Sequence, residues 1–306
     1  MAPVIAWVPN QPLTHLVTRG TLVLVGCLLG VILLANAFER FLLAVIHPRV
    51  WAELQQPGAE RRRRSFVYFH VGACIQFGLI CVGVYPAFSF LLHGDLSRPY
   101  IHGFRHSITI GSMLFIVCQI HNGYYLFELC YRNNFASPIS IAHHIGLLII
   151  TQMSVAMFGN WEKNPEGVLD FYMCMVWGAF DLVVELPIYT SMILWRAKAH
   201  KPKFLYYLMY FCCIWAVIGA TTETAVTIYL MQASWYRWPI GWRVIIPLVF
   251  GLWITTQFYG AYRIRGMALS QHSKIANTEQ PTPEDEAEKG GAVSPTVTSC
   301  NETRTQ

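Results

Sequence analysis

Two adjacent histidines, His143 and His144, sit inside the run Ile139-Ser140-Ile141-Ala142-His143-His144-Ile145-Gly146-Leu147-Leu148-Ile149-Ile150, which is otherwise almost wholly apolar. An imidazole can act as a general base, as an acyl acceptor or as a metal ligand. In hydrocarbon it loses its water partners, so it persists only beside a polar cavity or a partner group. The preceding apolar stretch carries Gln119, His121, Asn122, Tyr124, Tyr125 and Glu128. At helical spacing His121, Tyr125 and Glu128 share one stripe, because positions three and four apart are surface neighbours. Asp181 and Glu185 lie one turn apart in the following stretch, and Thr221, Thr222 and Glu223 come after them. A catalytic histidine needs a carboxylate to orient it, and either Asp181 or Glu128 has the right chemistry. The adjacent imidazoles point about 100° apart on a helix, so both reach one cavity only if it is wide.

Each of these groups also has a plainer explanation, a hydrogen bond across a helix interface that holds packing together by about 1 kcal/mol or less. That explanation suits Glu223 best. His143, His144 and Asp181 are three costly groups in consecutive apolar stretches and are harder to account for by packing alone. A metal centre is the rival chemistry. His102 and His106 add an HxxxH spacing, but the repeated HxxHH clusters of a membrane diiron site are missing, so no metal is expected.

The elements that position these residues follow from composition. Hydrophobic residues make up 54% of the 306 and charged ones 13%. With a mean hydropathy of +0.39, the chain lacks the polar surface a soluble domain of this size needs. An all-α membrane protein of about seven transmembrane helices is expected. Apolar stretches long enough to cross about 30 Å of hydrocarbon lie near residues 19–38, 66–92, 107–130, 139–158, 170–195, 204–231 and 244–264. The first has only Arg19 before it and no cleavage-site pattern, which reads as a span and not as a signal peptide. Pro86 and Pro187 predict kinks in the second and fifth. The nine cysteines fall mostly in the apolar stretches without paired spacing, so they read as packing residues and not as a disulfide framework.

Positive charge alternates between loops. Arg40, Arg49 and the run Arg61 to Arg64 follow the first stretch; Arg196, Lys198, Lys201 and Lys203 follow the fifth; Arg263 and Arg265 follow the last. This bias predicts a lumenal N-terminus and a cytosolic C-terminus. Beside a span, the four-arginine run reads as a topology determinant touching anionic lipid, and no nucleic-acid partner is expected. Three segments result: 1–64 with the first span and a basic loop, 65–265 with the remaining spans, and a disordered tail over 266–306 rich in Pro, Glu, Thr, Ser and Gly. Cys300 is misplaced for prenylation, and the sequon at Asn301 is expected to stay cytosolic and unused.

The order His121-Asn122-Gly123-Tyr124-Tyr125-Leu126-Phe127-Glu128, then Ile141-Ala142-His143-His144-Ile145, then Phe180-Asp181-Leu182-Val183-Val184-Glu185 resembles the TLC-domain family. That family includes ceramide synthases and translocating-chain-associating membrane proteins. The resemblance covers residues 65–265 and implies a TLC-like six-helix core preceded by one N-terminal span, in the endoplasmic reticulum or a related endomembrane. It implies acyl transfer from acyl-CoA, a co-substrate and the only cofactor-like molecule involved, to a lipid amine or hydroxyl. His143 or His144 would be the base or the acyl acceptor, with Asp181 orienting it. His121, Tyr125, Glu128 and Glu185 are expected to line the substrate site. The chain departs from the ceramide synthase pattern at Gly178, where a further Asp stands, and at Ile188, where a Lys stands.

Two other readings compete. In one the same groups grip a lipid headgroup without catalysis, as in a binding or membrane-regulatory protein. In the other the chain is a seven-span receptor, an analogy of fold alone; it finds no Lys in the last span for a retinal Schiff base and no role for the histidine pair. A membrane lipid is the expected partner, and neither its identity nor the oligomeric state is legible in the sequence.

Overall fold

A computed structural model describes residues 11–100, 108–132, 137–160, 162–164 and 167–279. These residues form helices, with no named strand among them. A 3-10 turn at His15–Arg19 leads into α1 (Gly20–Ala37), which continues through a π-helical turn, Phe38–Leu42, into α2 (Leu43–Ile46). The short α3 (Pro48–Leu54) turns the chain into α4 (Glu60–His93). Then come α5 (Ile110–Tyr131), α6 (Pro138–Gly159), α7 (Gly167–Ala197), α8 (Pro202–Ser234) and α9 (Ile240–Glu279).

Local sequence sets several boundaries. Thr109 caps α5 through the Ser112 amide, and Ser137 caps α6 through the Ser140 amide with Pro138 in the first turn. Gly94 ends α4 at φ 70°, a left-handed position that glycine adopts without a steric penalty. Helices α4 and α7 run on through Pro86 and Pro187, and α9 contains a third proline, Pro247.

Among the described residues six helical segments are long and apolar enough to cross a membrane, which makes this a multi-pass membrane protein. The seventh expected span, α5, matches α6 in length at 22 residues. It falls outside the six because Gln119, His121, Asn122 and Glu128 dilute its hydropathy. The first span is longer than expected, since helix continues past residue 38 to Ile46. The last is longer too: α9 extends to Glu279, so the segment 266–279 is helical and not part of a structureless tail. His102, His106, Trp161, Pro165, and the tail from residue 280 with Cys300 and the Asn301 sequon lie outside the described residues.

Helix α7 is the axis. Within its apolar window 72% of residues are buried, against 39% or less in the other spans. It packs on α4, α6 and α8, while α4–α5, α5–α6, α6–α9 and α9–α8 contacts carry a wall around it. The wall is weakest between α4 and α8, which share no extensive contact among the described residues. Helix α1 lies outside these six against α5. There Gly123 permits close approach: a Cβ on it would stand 3.0 Å from the Leu28 backbone nitrogen.

Candidate functional site

The alternating helices put the start of α4, the end of α5, the start of α6, the end of α7 and the later part of α9 at the end of the bundle that carries the basic loops. His144 therefore lies about 9 Å along α6 from that end, at 1.5 Å rise per residue. Its Nε2 is 3.2 Å from Glu128 Oε2. Glu128 also accepts from the Tyr68 hydroxyl at 2.5 Å and, on Oε1, from Arg132 at 3.0 Å. The Tyr189 hydroxyl is 2.6 Å from that of Tyr68. Since Tyr68 gives its one proton to Glu128, Tyr189 donates to Tyr68. Arg132, whose guanidinium lies 4.3 Å over the Tyr68 ring, supplies a fixed positive charge to the buried carboxylate.

His144 Nε2 stands at ion-pair distance from Glu128, while its Nδ1 is buried and without a hydrogen-bond partner; with the proton on Nε2, the side facing the carboxylate, a neutral His144 carries its lone pair on Nδ1. His143 is set differently. Its Nδ1 lies 3.2 Å from Thr256 Oγ1, and Thr256 gives its own proton to the Trp253 carbonyl at 2.6 Å. Nδ1 of His143 is therefore the donor, and its Nε2 carries the lone pair.

A second pair lies deeper. Asp181 accepts a short hydrogen bond from Tyr125, and His121 Nε2 stands 3.4 Å from Asp181 Oδ2, at ion-pair distance without hydrogen-bond alignment. Tyr125 joins the two pairs, its ring centroid 4.5 Å from that of His121 and 4.6 Å from that of His144. The His143 and His144 rings are 5.1 Å apart, and Trp253 closes the row 4.7 Å from His143.

Two cavities meet at this row. The larger, about 550 Å³, is an apolar chamber between α4, α5, α7 and α8, with His121, Asn122, Tyr125 and Thr151 as its polar end. Val84, Phe88, Val183 and Tyr229 line it and are also exposed, so it opens sideways through the gap between α4 and α8. The smaller, about 320 Å³, is more polar and lies toward the basic end, lined by Glu128, Arg132, His143, His144, Asp181 and Glu185 among others. The Tyr125–Asp181 hydrogen bond lies between them, Tyr125 lining one chamber and Asp181 the other.

The expected site residues thus come together, with a change of partners. Asp181 is engaged by Tyr125 and His121, and Glu128 is the carboxylate that orients the histidine pair at His144. The physical reason is depth. Glu128, near the end of α5, faces the start of α6, whereas Asp181, near the middle of α7, faces the middle of α5. Glu185 accepts from Gln76 at 2.7 Å on the polar side. Glu223 is apart, accepting from Gln257 at 2.7 Å between α8 and α9, while Thr221 and Thr222 donate to carbonyls of their own helix.

Tyr68, Arg132, Tyr189 and Thr256 were not singled out by the sequence. Arg132 and Tyr189 each follow a carboxylate by four residues, Glu128 and Glu185, a one-turn spacing that carries a signal. Tyr68 and Thr256 come from distant helices and carry none. Among the described residues no group of three or more His, Cys, Asp or Glu side chains is arranged to hold a metal ion. No protein-family model matches the chain, and neither a curated protein nor a solved structure matches it.

Proposed function

We propose that this protein is a TLC-like enzyme of an endomembrane such as the endoplasmic reticulum, transferring an acyl group from acyl-CoA to the amine or hydroxyl of a membrane lipid. One observation carries the reading: His144, facing Glu128 and with Nδ1 unpartnered, lines the polar chamber at the basic end, and its ring neighbour Tyr125 lines the side-opening apolar chamber. An aliphatic chain fits the first and a charged, water-soluble carrier the second. Positive charge after the first, fifth and last spans supports a cytosolic polar chamber, a lumenal N-terminus and a cytosolic C-terminus.

In this mechanism His144 Nδ1 takes the proton of the acceptor amine or hydroxyl as its nitrogen or oxygen attacks the thioester carbonyl. The new C–N or C–O bond forms, the C–S bond breaks, and the imidazolium returns the proton to the thiolate that leaves. Glu128 stabilises the imidazolium, and Arg132 and Tyr68 hold Glu128 in place. Purified protein, labelled acyl-CoA and a panel of sphingoid bases, lysolipids and sterols test the proposal by formation of labelled product.

A second reading, lipid binding without transfer, has its own support. At Gly178 a Cβ would meet nothing within 4 Å, and the residue lines the apolar chamber where the enzymes it resembles carry a second acid. Saturable binding of one lipid with no turnover on any acceptor is the outcome that favours it.

A further inference from the structure

A third cavity lies outside the six-helix core. Where α1 leaves α5 near the basic end, a groove of about 370 Å³ opens between α1, α5 and the first turn of α4. Its walls are apolar, formed by Leu28, Ile32 and Phe127, and Ile32 and the neighbouring Leu29 and Leu33 are exposed on the outer face of the bundle. Its upper end is polar and formed by Asn36, Glu39, Arg63, Arg64 and Tyr131. That end lies at helix termini, the last residue of α5 and the first turns of α4, so in a bilayer it sits at headgroup level while the walls face acyl chains.

Charge at the polar end is unbalanced. Four consecutive arginines, Arg61 to Arg64, begin α4, and Arg40 follows Glu39. Of the acids near them, Glu60 pairs with Arg64 at 2.7 Å and Glu39 approaches Arg63 Nε at 3.5 Å while also accepting from the Tyr131 hydroxyl at 3.1 Å. Arg64 further donates to the Tyr131 carbonyl at 3.2 Å, which fixes it, and Arg61 and Arg62 are exposed. Arg63 is part-exposed and lines the groove, and its Nε, 3.5 Å from Glu39, makes no hydrogen bond.

We infer that this groove is a binding site for one anionic glycerophospholipid of the leaflet at the basic end, its acyl chain along Leu28, Ile32 and Phe127 and its phosphate against Arg63 and Asn36. Charge complementarity selects the occupant: Arg63 and Arg64 approach Glu39 and Glu60, and the exposed Arg40, Arg61 and Arg62 beside the groove add an excess of positive charge that suits an anionic lipid better than a zwitterionic one. The site is separate from the histidine row, so it does not depend on the acyl-transfer reading.

The full-length protein, reconstituted in nanodiscs of mixed phosphatidylcholine and phosphatidylglycerol and then transferred to detergent, tests the inference by counting retained lipids with native mass spectrometry. Wild type is expected to keep one phosphatidylglycerol in preference to phosphatidylcholine. Arg63→Gln is expected to weaken that retention about fivefold, the effect of one basic residue near an anionic surface. Ile32→Trp, a change at a lipid-exposed position that leaves folding intact, is expected to fill the trough and release the lipid. Glycerol phosphate in solution is expected not to replace it, which separates a lipid from a free phosphate. Equal retention of the two lipids by wild type, or unchanged phosphatidylglycerol retention in Ile32→Trp, overturns the inference.

Discussion

Glu128 and His144 face each other across the α5–α6 interface at 3.2 Å, and the carboxylate is held from its other sides by Tyr68 and Arg132. This makes Glu128 the positioning residue for the imidazole. Replacing it with Gln is expected to lower acyl-transfer kcat by about a hundredfold or more, since the imidazolium loses its counter-charge. Tyr68→Phe removes one donor and leaves the charge, and its expected loss is smaller, about tenfold. Steady-state kinetics on both variants check the order, and a Tyr68→Phe enzyme as impaired as Glu128→Gln contradicts it.

Asp181→Asn is expected to leave the protein inserted and folded, because the amide oxygen still accepts from Tyr125. Activity or lipid retention should nonetheless be lost, as the charge beside His121 at the meeting point of the chambers is removed. Size-exclusion profiles in detergent alongside bound-lipid analysis separate the two effects. An aggregated variant whose surviving fraction functions normally points to packing instead.

Gly72 on α4 leaves room for the aromatic cluster that holds Glu128. A Cβ there would clash with the Tyr124 hydroxyl and come within 2.6 Å of the Tyr189 ring, so neither Tyr124 nor Tyr189 could stay in place. Gly72→Ala is expected to destabilise by about 1–3 kcal/mol through overpacking and to slow catalysis through Tyr68. Thermal unfolding in detergent reads the first effect.

His47, half-buried between α2 and α3 against Phe66 and His70, has its pKa lowered below 6.5 by desolvation first and by the Lys198 charge second. The unfolded chain then binds the proton more readily than the folded one. Stability is full above about pH 6.5 and falls as pH drops toward the folded-state value. In His47→Gln the share of this acid-side loss that His47 contributes should disappear. An unchanged pH profile of the unfolding midpoint removes His47 as its source.

Much of the fold was legible because a bilayer requires long apolar stretches. The exception is instructive: α5 carries so many polar groups that its hydropathy drops below that of the other spans, and those groups build the site. The end of α9 was misread because Ser270, Gln271, His272 and Ser273 look like tail composition, yet helix continues through them with Gln271 buried. At the site the histidines and acids were visible one by one. Their pairing was not, since it depends on the depth at which α5, α6 and α7 cross, which spacing within a single helix does not encode. Tyr68 and Thr256 were hidden for the same reason.

In the proposed reaction His144 Nδ1 acts as the base for acyl transfer. The most direct measurement is transfer from labelled acyl-CoA to lipid acceptors by purified wild type, His144→Ala and His143→Ala, with thermal unfolding of each as a folding control. Labelled product is expected with wild type and is expected to be lost in folded His144→Ala, with a partial loss in His143→Ala, whose imidazole is tied to Thr256. Product formed by His144→Ala at the wild-type rate, or none by wild type with any acceptor, contradicts this role of His144.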